Sequence, residues 1–316
     1  MNYNFEVVST ASEGAVLLGP SFESPCSIYS SPAFWRAVEE MRPELDIRYL
    51  TVRAEGRCAM IPAYLYPSGR SGDRYSPDRD TKPGEWPATE AAGRWALLGG
   101  RSGRYSGFAF SGSWSMQEAA SALLPPAIAY LQENKFNVVM KFFDGRLRTC
   151  VAGAVGLSTE LMPLLDAHAI LHLRAGNIEE YVSALPAPFR GFVRRDLRRF
   201  SNAGLALEKT DLEAVIHELP RLWDQVQVYH GSTPNLPLCR TMLECQSKTL
   251  NGLSHVFCAR DKEGQAVAMS LNYRFRNSMC CRLIGLEYDK AIASGAYFKV
   301  MYYEPLLWGY AHQIDT

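Results

Sequence analysis

The densest run of chemically capable side chains lies in residues 189–208, FRGFVRRDLRRFSNAGLALE, where over 189–200 Arg190, Arg194, Arg195, Arg198 and Arg199 stand against one carboxylate, Asp196. Advancing each residue by ~100°, as in a helix, gathers Phe189, Val193, Leu197 and Phe200 into an apolar wedge and sends the guanidinium groups to the other side. Guanidinium is planar, permanently charged and forks onto anionic oxygens, so such a stripe has the chemistry of a phosphate-binding face. A solvated helix face paired with acids elsewhere is the alternative, and both readings stay open. Nucleophilic catalysis is not indicated, because there is no G-x-S-x-G elbow and no Cys-His pair in motif context. The eight cysteines are scattered without C-x-x-C pairs or His at zinc spacing, which predicts reduced, mostly buried thiols. His168 and His172 lie four apart, but DAHAILHL alternates like a strand and offers no third ligand, so no metal is expected. Asp224 and His230 follow the amphipathic positions Leu212, Val215, Leu219 and Leu222 and are acid/base candidates on a connection expected to line an interdomain cleft.

The elements that must position these residues come in a weak repeat. Residues 45–66 read as two alternating apolar strands joined by a turn with Gly56, and residues 254–275 repeat the pattern around Gly264. In the first copy a strand at 95–98, a helix at 116–134 and a strand at 136–143 follow. In the second, the same order is a strand at 279–286, a helix at 294–311 and a last short strand at 312–316. Helical segments precede both hairpins, at 31–41 and from 178 onward. Helix, hairpin, strand, helix, strand, given twice, predicts an α/β (α+β) protein of two similar domains, 1–150 and 151–316, each with a mixed, largely antiparallel sheet flanked by helices. Residues 67–87 form a polar, Gly/Pro-rich insertion whose length suits either a lid or binding loop or a disordered surface insertion.

Composition bounds the partners. The 316 residues carry 33 basic and 33 acidic side chains, so no global field draws the chain to nucleic acid or an anionic membrane, and any such partner needs a local patch. Of the basic residues 25 are Arg and 8 are Lys, a bias that suits bidentate contacts and that a high-GC genome also produces. The first ten residues lack a basic segment followed by an apolar run, and no apolar stretch is long enough for a transmembrane helix, so a cytoplasmic protein is expected.

Several stretches together resemble the double-domain Fem-like (FemABX-type) branch of the GNAT superfamily: SPAFWRAVEE (31–40), LLGGRSGRYSG (97–107), the arginine helix, DKEGQAVAMSLNY (261–273) and residues 285–315. The resemblance implies two GNAT-like domains with a cleft between them. It also implies amide formation by transfer of an amino acid from aminoacyl-tRNA to the amine of a small-molecule or peptide acceptor, as in antibiotic or other secondary-metabolite assembly. The co-substrate would be aminoacyl-tRNA, with no permanently bound cofactor and no membrane partner. An acyl-CoA-dependent N-acyltransferase and a catalytically inactive double-GNAT binding module are the alternatives. Residues 104–109, RYSGFA, fit the superfamily's CoA loop pattern, but the expected helix begins several residues later, and the second copy has no such signature. The family pattern continues past the last strand to a Gly-containing segment, whereas this sequence stops at Thr316, so either an incomplete C-terminal sheet or a trimmed chain is expected. No helical-hairpin insertion is present, so a cell-wall acceptor is not implied.

Transfer from an activated ester needs positioning, deprotonation of the amine and stabilisation of an oxyanion. For these tasks the resemblance directs attention to Glu287 as the carboxylate near the amine. Tyr273, Tyr288, Tyr297 and Lys299 are the candidate donors, with Tyr297 and Lys299 opening the helix after the third strand and Lys299 steadying the terminal phosphates of the tRNA. Either a tRNA acceptor stem or the phosphates of coenzyme A would suit the arginine stripe.

Overall fold

The computed structural model describes residues 3–23, 28–66, 93–101, 107–140, 145–155, 171–173 and 177–315. The chain divides into two compact units, Met1–His168 and Ala169–Thr316. The 67–87 insertion, residues 104–106 of the CoA-like pattern and His168 lie outside the described residues.

In the first unit, β2 (Asp46–Ala54) and β3 (Arg57–Tyr66) pair through a two-residue turn in which Glu55 and Gly56 both take positive φ, 43° and 76°. That is the turn whose twist matches the flanking strands, and it fixes the register Ala54↔Arg57. β1 (Asn4–Val8) adds to the outer edge of β2. The other edge of β3 is shared: β5 (Ala109–Ser111) pairs with Cys58–Met60 and β4 (Arg94–Leu98) with Ala63–Tyr66. β6 (Phe136–Met140) closes the sheet parallel to β4. Helices α1 (Ala11–Leu18) and α2 (Pro32–Met41) precede the hairpin, and α3 (Met116–Glu133) starts at a capping box of Ser115 and Glu118. α3 and α4 (Gly145–Val155) cover one sheet face, where Leu123, Leu124 and Leu131 meet Leu50, Ile61 and Leu98.

The second unit opens with α5 (Ile178–Ala184) and α6 (Ala187–Asn202), broken apart at Leu185 and Pro186, since a proline cannot sit inside a continuous helix without costing a hydrogen bond. Its sheet is wholly antiparallel in the order β10 (Ser278–Leu286), β9 (Ala266–Phe275), β8 (Ser254–Arg260), β7 (Ala206–Thr210). The β8–β9 turn is held by Asp261, whose carboxylate accepts from the amides of Glu263 (3.2 Å) and Gln265 (2.9 Å). α7 (Leu219–Tyr229) packs on β10 at Gly285, where a Cβ would lie 2.7 Å from Leu222 Cβ. α8 (Leu236–Thr249) is tied in by a hydrogen bond from the Tyr273 hydroxyl to Gln246 Oε1, 2.7 Å. Elsewhere Phe200 and Val300 join Phe257, Ala259 and Ala268 of the sheet in one apolar cluster.

The structure corrects two expected elements of the second copy. The helix expected at 294–311 is preceded by α9 (Tyr288–Ala293) and is itself segmented into α10 (Ala296–Phe298), a π-helical turn Lys299–Tyr303 and α11 (Glu304–Ala311). Gly295, at φ 75°, breaks the chain between α9 and α10, and the wider π turn falls just before Pro305. The strand expected at 312–316 is not present among the described residues. Gln313 takes φ 56°, and the Ile314 amide donates to Gly309 O at 3.0 Å, closing α11 with a Schellman turn. The residues that would have extended into a strand are spent in that cap.

Candidate functional site

α6 carries the arginine stripe. Val193, Asp196 and Phe200 are its buried residues, and Val193 packs with Val182 of α5 and Tyr303 of the π turn. Arg194, Arg195, Arg198 and Arg199 are exposed, and Arg190 is half-buried, donating from Nε to Leu185 O at 2.9 Å. Two details differ from the helical-wheel reading. Asp196 is buried rather than set among the arginines in water, because at ~100° per residue it falls between Phe192 and Phe200, on the rim of the apolar wedge. Its carboxylate reaches Tyr303, whose phenol burial, aided by that neighbour, pushes up to about 12. Phe189, expected in the core, is exposed in the first turn of α6, as is Phe192.

The result is a positive face with little compensation. Arg195 lies 3.8 Å from Asp196, and the Nε of Arg198 donates to Arg194 O at 3.4 Å. No acid of the described residues pairs with Arg194, Arg198 or Arg199. Arg199 also lines an open groove of about 530 Å³ between α6, the β8–β9 turn and α9, shared with Asn202, Asp261, Lys290 and Ser294. Gly295 sets this distance: a Cβ there would stand 2.7 Å from Asp196 O and 3.5 Å from Arg199 Cβ.

At the start of α9 the structure gathers a second group. Glu287 follows β10 as the N-cap of α9, its amide donating to Val267 O at 2.8 Å, and its Oε2 lies 3.6 Å from Arg221 Nη1 on α7. Gln225 lies one turn on, and with its side-chain amide turned so that nitrogen faces Leu286 O (3.2 Å) and oxygen faces Arg221 Nη1 (3.3 Å) it bridges the two elements. A turn further, Tyr229 stacks on Tyr288 with ring centroids 3.7 Å apart and planes at 18°, and His230 meets Tyr229 edge-on at 5.4 Å. Desolvation and the Tyr229 hydroxyl raise the Tyr288 phenol above its ordinary value, so at neutral pH it is an O–H donor. Arg221, Gln225 and Tyr229 fall on one stripe at i, i+4 and i+8, and that spacing was the available signal for the two residues sequence reasoning missed, Arg221 and Gln225.

The other candidates go elsewhere. Asp224 accepts from the Asn235 amide (2.7 Å) and from the Cys239 thiol (3.9 Å), joining α7 to the start of α8. Tyr273 is fully buried against Gln246. Lys299 Nζ is 2.5 Å from Glu304 Oε1, across the π turn, and sits over the Phe200 ring at 5.7 Å. Tyr297 meets Phe298 and Tyr302 edge-on, and desolvation with a hydrogen-bonding interaction with Tyr302 raises its phenol well above the ordinary range. Of the sequence-derived set, Glu287 and Tyr288 adjoin at the start of α9, and His230 contacts Tyr229, which stacks on Tyr288; the arginines form their own face; Asp224, Tyr273, Tyr297 and Lys299 have internal partners.

No family model and no curated protein matches the sequence. Solved structures do. FemX aligns over 100% of this chain and 87% of its own with a TM-score of 0.59 at 11% identity. The fold is Fem-like. A conserved protein of unknown function from Bacteroides thetaiotaomicron VPI-5482 aligns over 99% of this chain and 88% of its own, with a TM-score of 0.54 at 12% identity. No helix among the described residues is long and apolar enough to cross a membrane.

Proposed function

We propose that this Fem-like chain is an amide-forming aminoacyltransferase that moves an amino acid from aminoacyl-tRNA to the amine of a small-molecule or peptide acceptor. The observation that carries the reading is the face of α6, where Arg194, Arg198 and Arg199 are exposed and pair with no acid among the described residues. Phosphates of a nucleic acid are the partners whose condensed counterions such a face displaces. The groove that Arg199 shares with Lys290 and Ser294 runs along the later part of α9, while Glu287 and Tyr288 stand at its start. Six helical residues span only ~9 Å, so an RNA end held in the groove brings its ester to the Glu287 group.

In the reaction the acceptor nitrogen attacks the ester carbonyl, a C–N bond forms, the C–O bond breaks and the tRNA ribose oxygen leaves as a hydroxyl. Glu287 takes the proton from the amine and returns it to the leaving oxygen, general base then general acid. The Tyr288 hydroxyl donates to the oxyanion, and Arg221 with Gln225 fixes the carboxylate against β10. No covalent enzyme intermediate is required. The test is loss of labelled amino acid from a mixed pool of charged tRNA in the presence of the protein and a panel of amines. Label appearing in acid-stable amide supports the reading; ester decay no faster than without protein, for every amine, overturns it.

A further inference from the structure

Two phenylalanines of α6 stand in water. Phe189 is 55% and Phe192 48% exposed, although phenylalanine is ordinarily buried. Their rings meet edge-to-face with centroids 6.2 Å apart, and the Arg195 guanidinium lies over the Phe192 ring at 4.9 Å. Phe192, Arg195 and Arg199 fall at i, i+3 and i+7 and so make one ridge, rising ~10 Å along the helix. At its far end Arg199 enters the groove with Lys290, Asn202 and Ser294. Along one line the surface presents aromatic rings, two guanidinium groups and a groove whose charged lining is Arg199, Lys290 and one carboxylate, Asp261.

That order suits a nucleic acid whose bases are not paired. A free base stacks on an aromatic ring whatever its identity, while the phosphates between bases take the cations. A duplex hides the faces of its bases and uses only the cations. A lipid surface is the poorer fit, because a helix lying in a bilayer interface presents its broad apolar face to the lipid. In α6 that face, with Val193 and Phe200, is already buried within the unit.

We propose that Phe189 and Phe192 form a stacking platform for the unpaired end of an RNA, whose phosphates then follow Arg195 and Arg199 toward Lys290. This rests on the preceding reading that α6 takes tRNA, and it assigns the rings to the single-stranded end rather than the stem. The probes are two labelled RNA hairpins, identical except that one carries a four-nucleotide 3′ tail. They are titrated by anisotropy against wild type and F189A/F192A, with circular dichroism to verify the fold. The tail should strengthen wild-type binding by about tenfold or more, and the double variant should bind tailed and blunt hairpins alike. A wild type indifferent to the tail, or a double variant that keeps the preference, overturns the platform. Salt-sensitive binding of the blunt hairpin in either case leaves the tRNA reading standing, whereas binding of neither RNA removes both. Sedimentation with phosphatidylserine vesicles that is lost in F189A/F192A, together with no tail effect, assigns the rings to a membrane surface and overturns the proposal.

Discussion

At the scale of single residues, the account separates groups that face a substrate from groups that hold the fold. Glu287 is half-exposed beside Arg221, and its replacement by Gln should lower transfer roughly a hundredfold or more, the usual worth of a general base, while tRNA affinity stays the same. A parallel fall in affinity would instead make Glu287 a binding group. Asp224 behaves differently: it satisfies the Asn235 amide at the entry to α8, so Asp224→Ala should cost about 1 kcal/mol of stability, as a lost cap does, with little change in transfer per folded molecule. Thermal denaturation alongside activity distinguishes the two. His255 supplies a pH signature. It sits against Trp308 at 4.4 Å with Lys209, Arg274 and His312 around the same indole, and burial, then those cations, lower its pKa from 6.5 to about 4. The unfolded chain therefore binds the extra proton between these values. The contribution to stability is whole above pH 6.5 and is lost as pH falls toward 4. The melting temperature of wild type should fall more steeply than that of His255→Gln over that window; parallel curves would contradict the assignment.

At the scale of elements, the two surfaces depend on close packing of helix on strand or helix. Gly285 lets α7 lie on β10, and Gly295 at φ 75° lets α6 approach the junction of α9 and α10. Gly295→Ala combines backbone strain with a clash on Asp196 O, so it should destabilise by about 1–3 kcal/mol and loosen α6, weakening RNA binding along with stability. Unchanged denaturation would mean that α6 does not rest on this contact. The hairpins were legible in the sequence because alternation and a glycine turn are local, and so were the helices α2 and α3. The break at Pro186 and the segmented 288–311 region were not, since an apolar run of helical period does not reveal where a π turn or a positive φ interrupts it. The arginine face was readable from period alone. The exposure of Phe189 was not: hydrophobicity predicts burial, and only the position of the first turn against its neighbours decides it. Arg221 and Gln225 escaped notice because they matter only once α7 is seen to lie on the end of β10.

At the scale of the whole molecule, a net charge of zero conceals a strongly uneven distribution. A chain of that composition has no long-range pull on nucleic acid, so the proposed tRNA binding requires a local patch, for which the α6 face is the candidate, and is expected to be salt-sensitive. Each phosphate neutralised contributes a slope of roughly −0.7 to −0.9 in log affinity against log salt, and removing Arg194 and Arg198 should reduce the slope by nearly two such increments. The Fem-like fold of the chain is shared with FemX at 11% identity, a level at which the fold carries over and the chemistry has to be argued from the side chains. The measurement that bears most directly on that argument is retention of charged tRNA by the purified protein across a salt series, with acetyl-CoA titrated in parallel. The account predicts salt-sensitive retention of tRNA that weakens in R194A/R198A, and no saturable binding of acetyl-CoA. Binding of acetyl-CoA without retention of tRNA would contradict it.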